Sequence, residues 1–445
     1  MPARGWRSRP QAGGPGPSVS PVSARVCAYA VVRRVFERGA YADRALHAEA
    51  RELDARDRAL AMRLAYGAVQ RSGTLDHLIE RLADRPVARL DPPVLAALRL
   101  GLYELLYLRG APDHAVVADT VELAKTSGRG GHGLVNAILR RAIREGPATL
   151  LATLDDRTPE HAAIMHSHPE WIARLWWQEL GPEEARALMA ADNEPGEVAL
   201  RANTLVTDAA ALAGELPVAT HGDPLLPEAL VLDGPFDAHS SSLWRSGAFI
   251  AQSRAAMLVA RALDPQAGER VLDLCAAPGG KSTHLAALMQ GQGELVAIER
   301  NPRRAAELQQ TARRLHATNV RVELADAAIT RSGEAPFDRV LVDPPCSGLG
   351  TLQARADLRW RVTPQGITEM TSVQAGILAA GAAAVRPGGV LVYSTCTISQ
   401  AENQSQIAAF LEAHPDFALG AEGPVMTFPH RDHTAGFFIA RLHRS

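Results

Sequence analysis

The chain has 445 residues, of which 47% are hydrophobic and 22% are charged, and its formal net charge at pH 7 is −2. That length suggests about two to four domains, and the balanced charge gives no overall electrostatic sign of nucleic-acid binding. Only four cysteines occur, which excludes a disulfide scaffold and fits a reducing cytoplasm. No cysteine pair has zinc-knuckle spacing and no run of about 18 apolar residues occurs, so neither a metal site nor a membrane span is expected.

The first segment, residues 1–22, is rich in proline and glycine and lacks the apolar stretch of a signal peptide. It is predicted to be a disordered tail. Basic residues concentrate at this end of the chain, because six arginines precede the first acidic residue, Glu37. A solubilising tail and an RNA-contacting arm both agree with that charge.

Residues 23–147 carry apolar side chains at helical spacing throughout. A long amphipathic run covers residues 60–82, and Pro92-Pro93 opens a further helix. About five helices with short loops are expected to form a compact bundle. The apolar face of the first helix is predicted to consist of Ala28, Tyr29, Val32, Val35 and Phe36.

Residues 148–265 are mixed in character. A helix begins near Pro169 and carries Trp176 and Trp177, and strands are predicted at 198–203 and 230–232. The segment is therefore expected to be a small α+β unit. Its clustered tryptophans are expected to pack in a core, with base stacking as the alternative.

Residues 266–445 alternate between strand and helix patterns, and several strands are nearly continuous apolar runs, as in buried parallel sheets. This pattern predicts a doubly wound, Rossmann-like α/β sheet. Strands are predicted at 270–274, 294–299, 320–324, 338–343, 389–394 and 437–441, and helices at 281–290, 302–316, 370–385 and 400–413.

A glycine-containing turn directly follows the first of these strands. Ligands of doubly wound sheets bind at the carboxyl ends of the strands, and glycines let the backbone approach a ligand closely. The turn lacks the first glycine of a Walker loop and the Gly-x-Gly-x-x-Gly dinucleotide pattern. S-adenosylmethionine fits it better, because that nucleoside has no pyrophosphate. The turn consists of Cys275, Ala276, Ala277, Pro278, Gly279, Gly280 and Lys281.

Two acidic residues follow the next two strands. Glu299 ends the second strand, where an acid can bind ribose hydroxyls. Asp326 follows the third strand, where its carboxylate can receive an adenine amino group. Solvated acids at strand ends are the alternative for both. Lys281 is one of only two lysines among 47 basic residues, which indicates a chemical need for a compact ammonium at that position.

Two cysteines, Cys346 and Cys396, lie near the ends of the fourth and fifth predicted strands. A thiolate that adds to carbon 6 of a pyrimidine makes carbon 5 nucleophilic, and a second thiol can assist release of the product. Asp343, three residues before Cys346, can stabilise the charge on the ring. Spacing alone does not rank the two thiols, and a strand-end cysteine is more often a small buried hydrophobe.

At these motifs the sequence resembles the RNA cytosine carbon-5 methyltransferases, in the RsmB (Fmu or Sun) branch that acts on bacterial small-subunit ribosomal RNA. The resemblance covers most of the chain. It is strongest over 275–281, 343–348 and 393–397, with Asp357-Leu358-Arg359-Trp360 in support. Residues 23–147 resemble the NusB-type helical RNA-binding domain of this branch.

The resemblance implies that cofactor contacts fall on 275–281, Glu299, Asp326 and Asp343. It also implies that Cys396 is the nucleophile and that Cys346 assists release. DNA cytosine methyltransferases instead use a Pro-Cys turn, which here would make Cys346 the nucleophile. The chain departs from the family pattern in two places, because it has Gln252-Ser253 in place of Gln-Asp and Ala435-Gly436-Phe437-Phe438 in place of Asp-Gly-Phe-Phe.

We therefore expect a cytoplasmic, monomeric enzyme with a disordered tail at 1–22, a NusB-like domain at 23–147, an α+β RNA-binding segment at 148–265 and a methyltransferase domain at 266–445. The expected reaction moves a methyl group from S-adenosylmethionine to carbon 5 of a cytosine in 16S ribosomal RNA, through a covalent bond from cysteine to carbon 6. One alternative is the same chemistry on transfer RNA. Another is a NusB-like assembly or antitermination factor that carries an inactive methylase module.

Overall fold

The computed structural model describes residues 23–108, 110–126, 128, 130–330 and 335–445. The predicted tail at 1–22 lies outside these residues. Three regions follow one another along the described chain: a helical region, a small antiparallel sheet, and a large mixed sheet covered by helices. The predicted fold class, helices followed by an α+β unit and a Rossmann-like sheet, is confirmed.

The helical region is built around a long internal helix, α5, on which α1, α3, α6 and α7 pack. The core of residues 24–150 is continuous and includes the buried Cys27, whereas the three helices after residue 158 share a separate core with Leu349 and Ile398. The helices are α1 Ala24–Arg38, α2 Ala42–Glu49, α3 Ala55–Gln70, α4 Ser72–Ala83, α5 Pro92–Tyr107, α6 Asp113–Thr126, α7 His132–Glu145, α8 Pro147–Ala152, α9 Pro159–Met165, α10 Glu170–Leu180 and α11 Pro182–Ala191, with a 3₁₀ turn at Val87–Arg89.

Local signals in the sequence set the ends of these helices. The Ser23 hydroxyl accepts a hydrogen bond from the Val26 N–H and caps α1, and Gly39 ends the helix with a φ of 64°. The predicted run at 60–82 is two helices, because the chain leaves helical geometry at Arg71. Phe36 is 36% exposed rather than buried, and the guanidinium of Arg99 lies over its ring.

The small sheet is antiparallel and has the order β2-β3-β1-β4. Its two predicted strands are present, and two further strands flank them. The elements are β1 Ala199–Ala202, α12 Ala209–Glu215, β2 Thr220–Asp223, β3 Leu226–Leu232, a 3₁₀ turn at Ala238–Ser240, α13 Ser242–Arg245, β4 Phe249–Ala251 and α14 Arg254–Leu263.

Helix α14 was not predicted, although its pattern is strongly amphipathic. Its residues Val259, Ala260 and Leu263 are fully buried against the large sheet, in a core that includes Leu341. The helix therefore packs with the region that follows it in the chain.

The large sheet has the order β10-β12-β9-β8-β5-β6-β7. Strands β7, β6, β5, β8 and β9 are parallel, and β12 pairs antiparallel with β9. The elements are β5 Arg270–Leu274, α15 Gly280–Leu288, β6 Glu294–Glu299, α16 Pro302–Arg314, β7 Val320–Leu324, β8 Phe337–Val342, α17 Pro364–Ala384, β9 Val385–Thr395, α18 Gln404–Ala413, β10 Phe417–Leu419, β11 Val425–Met426, α19 Pro429–Asp432 and β12 Phe438–Arg444, with 3₁₀ turns at Leu349–Thr351 and Leu358–Trp360.

Neighbouring residues of the central strands are buried on opposite faces of the large sheet. Leu272 and Leu274 belong to one core, and Val271 belongs to the other. Helices cover both faces, which explains why these strands read as continuous apolar runs. Helix α17 begins six residues earlier than predicted, because the Thr363 hydroxyl caps it and Pro364 occupies its first turn.

Residues 349–361, here called the bridging segment, join the large sheet to the helical region. The Trp360 indole N–H donates to the Val69 carbonyl over 2.8 Å, and the Gln70 side-chain amide donates to the Gln353 carbonyl over 3.2 Å. The Arg359 guanidinium is fully buried and donates to the Asp192 carbonyl. The supporting Asp357–Trp360 motif therefore lies at the junction between regions.

Over the described ranges, no helix combines the length and the apolar character that crossing a membrane requires. The same residues contain no group of three His, Cys, Asp or Glu side chains arranged to hold a metal ion.

Candidate functional site

The carboxyl edge of the parallel strands gathers the residues that the sequence singled out. Strand order reverses between β5 and β8, because the chain runs outward from β5 through β6 to β7 and from β8 through β9 in the other direction. Such a reversal leaves a crevice at the strand ends, where ligands of doubly wound sheets bind. The Cys275–Lys281 turn follows β5, Asp343 follows β8 and Cys396 follows β9.

The two thiols face one another. Cys346 Sγ and Cys396 Sγ lie 3.4 Å apart, and both side chains are partly accessible to solvent. The cysteines are reduced, and one S–H can donate to the other sulfur. This short distance could not be predicted from the sequence spacing, because 50 residues separate the two positions.

The surroundings of the thiol pair distinguish its two members. The hydrogen bond with Cys396 and burial together raise the pKa of Cys346 well above its usual value. The hydrogen bond from Cys346 lowers the pKa of Cys396, and the positive charges of Arg355 and Lys281 act in the same direction against burial and Asp343. These opposite directions make Cys396 the candidate thiolate of the pair.

The Cys275–Lys281 turn is shaped by tight backbone contacts. Cys275 has a φ of 66° and the Ala277–Pro278 peptide is cis. Gly279 has a φ of 103°, and a Cβ there would lie 2.7 Å from Leu308 Cδ1, so only glycine fits. Burial raises the pKa of the Cys275 thiol to about 12, which makes this cysteine a poor nucleophile.

Lys281 and Asp343 form an ion pair across the crevice. The Lys281 ammonium donates to Asp343 Oδ2 over 2.7 Å, and the Ser394 hydroxyl donates to Asp343 Oδ1 over 2.9 Å. Burial favours the neutral amine, but the Asp343 carboxylate holds the pKa of Lys281 above its usual value. The ammonium also lies 5.1 Å from the centre of the Phe437 ring.

The other two predicted acids lie farther along the same edge. Glu299 is only 4% exposed, and its carboxylate accepts from the Asn301 N–H over 2.8 Å. Arg304 lies 3.3 Å from the same carboxylate and also donates to the Ala277 carbonyl. Asp326, after β7, is exposed and accepts from the Ala328 N–H over 3.0 Å.

Two buried acids of the site were not identified from the sequence. Asp273, inside β5, accepts from the Ser282 hydroxyl over 2.6 Å, and its Oδ1 has no hydrogen-bond partner among the described residues. Burial raises the pKa of Asp273 to about 7 against the effect of the Ser282 hydrogen bond. Glu402 is fully buried behind the thiols. Asp273 could have been identified as an acid within an otherwise apolar strand. Glu402 gave no such signal, because it lies in a polar stretch typical of the start of a helix.

Family models match three stretches of the chain. The 16S rRNA methyltransferase RsmB/F model matches residues 260–443, and the NusB family model matches residues 22–144. The ferredoxin-like domain model of RsmF/B-like methyltransferases matches residues 168–239.

Curated relatives align over nearly the whole chain. A probable ribosomal RNA small subunit methyltransferase B from Synechocystis is 37% identical, over 95% of this chain and 100% of the relative. The Bacillus subtilis protein of the same description is 34% identical, over 88% and 92%. Ribosomal RNA small subunit methyltransferase B from Klebsiella pneumoniae is 32% identical, over 95% and 98%.

Solved structures agree with the fold. The crystal structure of PH0851 superposes with a TM-score of 0.80 and 28% identity, over 96% of this chain and 99% of that one. A methyltransferase homolog from Pyrococcus horikoshii superposes with a TM-score of 0.59 and 27% identity, over 65% and 99%. The first likeness extends over all three regions of the chain.

Proposed function

From the premise that this chain belongs to the RsmB/F family of 16S rRNA methyltransferases, we propose that it methylates carbon 5 of a cytosine in 16S ribosomal RNA. The methyl donor is S-adenosylmethionine, and Cys396 is the nucleophile. The observation that carries this proposal is the pair of sulfurs 3.4 Å apart beside a glycine turn at the switch point of the sheet. The lowered pKa of Cys396 supports its role as nucleophile.

The residues at the strand ends fit S-adenosylmethionine. The backbone of the Cys275–Lys281 turn opens α15, whose first N–H groups favour a carboxylate. The Glu299 and Asp326 carboxylates are acceptors suited to ribose hydroxyls and to the adenine amino group, and Asp343 completes the set nearest the thiols. Bound there, the donor supplies an activated methyl group.

The chemistry begins at the thiol pair. The Cys396 thiolate adds to carbon 6 of the cytosine, and the Asp343–Lys281 pair stabilises the negative charge that develops on the ring through the Lys281 ammonium, which Asp343 holds in place. Carbon 5 then bonds to the methyl carbon of the donor as the bond between that carbon and the sulfonium sulfur breaks, so that the donor would leave as a neutral thioether. The Cys346 proton moves toward the ring as Cys396 adds, so that Cys346 becomes the base that accepts the carbon 5 proton. Cys396 finally leaves carbon 6 as a thiolate, and one proton is released to solvent for each methyl group transferred.

The rest of the chain serves RNA binding in this proposal. Residues 23–147 act as the NusB-like domain and 148–265 as an α+β RNA-binding segment, while 266–445 form the methyltransferase domain. Together they hold folded RNA largely through its shape and phosphates, and the target cytosine is unstacked to reach the thiols. We place the reaction in the cytoplasm and expect a monomer without a metal ion.

The test compares two cysteine variants on 16S RNA transcripts with labelled S-adenosylmethionine. Cys396→Ser is expected to abolish methylation while S-adenosylmethionine still binds in calorimetry. Cys346→Ala is expected to accumulate a covalent protein–RNA adduct, which a denaturing gel detects, because the carbon 5 proton is no longer removed. Cys27→Ala, in the core of the helical region, is the matched thiol control.

The pattern of products decides between the alternatives. An adduct with Cys396→Ser instead of Cys346→Ala would exchange the two roles. Bisulfite sequencing that finds methylation on transfer RNA but not on 16S RNA would identify transfer RNA as the substrate. Absence of any heat with S-adenosylmethionine would favour a binding protein with an inactive module.

A further inference from the structure

Glu402 is a buried acid that the reaction scheme above does not use. It follows β9 and the Cys396 turn, just before α18, and its side chain is fully buried. A buried carboxylate is costly unless hydrogen bonds satisfy it. The partners that satisfy Glu402 belong to the two turns that carry the thiols.

The hydrogen bonds of Glu402 reach the residue after each cysteine. The Ser347 backbone N–H donates to Glu402 Oε1 over 2.8 Å, and the Ser347 hydroxyl is hydrogen-bonded to Oε2. The Thr397 hydroxyl lies 3.3 Å from Oε2 and 2.6 Å from the Ser347 hydroxyl. One carboxylate thus joins the Cys346 turn to the Cys396 turn.

Two further contacts fix Glu402 itself. The Gln374 side-chain amide, from α17, donates to Glu402 Oε1 over 3.0 Å and to the Pro345 carbonyl over 3.0 Å. The Tyr393 hydroxyl donates to the Glu402 backbone carbonyl over 2.7 Å. Two N–H groups, from Ser347 and Gln374, donate to Oε1, and the Ser347 and Thr397 hydroxyls share their protons with Oε2.

The charge of Glu402 acts on Cys346. Its carboxylate accepts from the backbone of the residue next to Cys346, and its negative charge raises the pKa of Cys346. For Cys396, the positive charges of Arg355 and Lys281 lower the pKa and the negative charge of Asp343 raises it. The ionisable groups that face the thiol pair from the surrounding elements are Lys281, Asp343, Arg355, Tyr393 and Glu402.

We propose that Glu402 is a positioning residue that locks the two thiol turns against each other and keeps the shared proton on Cys346. This inference rests on the proposed function, because it explains how one cysteine becomes the nucleophile and the other the later base. A thiol whose proton is held more tightly gives, once deprotonated, the stronger base for carbon 5.

The test measures which cysteine reacts with limiting iodoacetamide between pH 6 and pH 9 in the full-length protein without RNA. Peptide mass spectrometry reads modification at Cys396 and Cys346 separately. Glu402→Gln is expected to lower the ratio of Cys396 modification to Cys346 modification by about tenfold, which is the change that one pKa unit produces. Its kcat for 16S RNA should fall by at least about tenfold, with KM changed by less than about twofold.

Two further variants separate charge from fold. Glu402→Asp keeps the charge but shortens the reach, so it should retain most of the preference and still lose kcat. Glu412→Gln, an exposed glutamate at the end of α18, is the matched control and should behave as the wild type in both measurements.

The proposal is overturned if folded Glu402→Gln keeps the wild-type preference and kcat. If that variant does not fold, Thr397→Val and Ser347→Ala replace it, and wild-type kcat in both would overturn the proposal. A wild-type protein that methylates no RNA would contradict the proposed function, whereas the alkylation ratio would still decide the role of Glu402.

Discussion

At the scale of single residues, the site depends on where one positive charge lies. Lys281 is half-buried between the Asp343 carboxylate and the Phe437 ring, and it lowers the pKa of Cys396 through its charge. An arginine there would bring a wider, planar group into the same space. The near absence of lysine elsewhere in the chain indicated that this position needs an ammonium, and its contacts give the physical reason.

Lys281→Met should therefore raise the pKa of Cys396, because the thiolate loses a favourable charge while the Asp343 carboxylate stays. The expected result is a shift of the pH profile of Cys396 alkylation to higher pH, together with a loss of methylation. Lys125→Met is the matched control, since Lys125 is the other lysine and pairs with Glu122 on the surface of α6. An unchanged alkylation profile for Lys281→Met would remove Lys281 from the activation of the thiol.

At the scale of elements, the bridging segment is held close to the Cys396 turn by glycine. The Gly350 N–H donates to the Cys396 carbonyl over 3.0 Å, and the Gly436 N–H donates to the Gly350 carbonyl over 2.7 Å. A Cβ on Gly350 would lie 1.9 Å from the Gly436 carbonyl oxygen. No side chain fits between these two backbones, so the close approach requires glycine at position 350.

Gly350→Ala should push the bridging segment away from the Cys396 turn and lower kcat, because the carbonyl of the nucleophile loses its donor. The measurement is single-turnover methylation together with thermal unfolding. Gly376→Ala in α17 is the control, since the nearest atom to its added Cβ is 4.0 Å away, and alanine should even stabilise the helix by about 1 kcal/mol. Equal kcat in the two variants would show that the close approach is not needed for the reaction.

The elements that sequence reasoning found are those whose signal is local. Strands β5, β6 and β7 begin and end as predicted. Both faces of β5 and β6 are buried, whereas β7 is a partly exposed edge strand whose alternating valines still marked it. The positions after those strands could be named as site residues because parallel strands bring their ends to one edge; the roles given to them stay predictions. The structural roles of Glu402 and Arg359 could not be predicted in this way, because their hydrogen-bond partners are far away in the chain.

At the scale of the whole molecule, a buried polar cluster lies where the helical region meets the bridging segment. The Arg359 guanidinium donates to the carbonyls of Ser167 and Asp192 over 3.0 Å each. His168 Nδ1 donates to the His166 carbonyl over 2.8 Å, which leaves Nε2 facing the Asp192 carboxyl at 3.3 Å. Burial raises the pKa of Asp192 to about 7, and burial lowers the pKa of His168 well below its usual value.

This cluster predicts a pH dependence of stability. An unfolded aspartate titrates near about 3.9, so between about pH 4 and pH 7 the folded protein binds a proton at Asp192 that the unfolded chain does not. The stabilising contribution of Asp192 is therefore complete below about pH 4 and falls as pH rises toward 7, by at most about 1.4 kcal/mol per pH unit.

Asp192→Asn keeps a neutral donor beside His168 that does not titrate. The Tm of the variant minus the Tm of the wild type should therefore increase as pH rises from 5 to 8. Thermal unfolding across that range measures the difference, with the exposed Asp113→Asn as control. A Tm difference that does not change with pH would mean that Asp192 is ionised in the folded protein over the whole range.

The bridging segment also limits how such a protein can change by recombination. At one end, Gly350 of this segment is hydrogen-bonded to the backbone of Cys396, and at the other end Trp360 packs against the helices. If the helical region were exchanged for an unrelated RNA-binding unit, Trp360 and Arg359 would lose the backbone carbonyls to which they donate hydrogen bonds. A transplanted Rossmann-like sheet would therefore need a new partner surface for Trp360 and Arg359, beside the turn that carries Cys396.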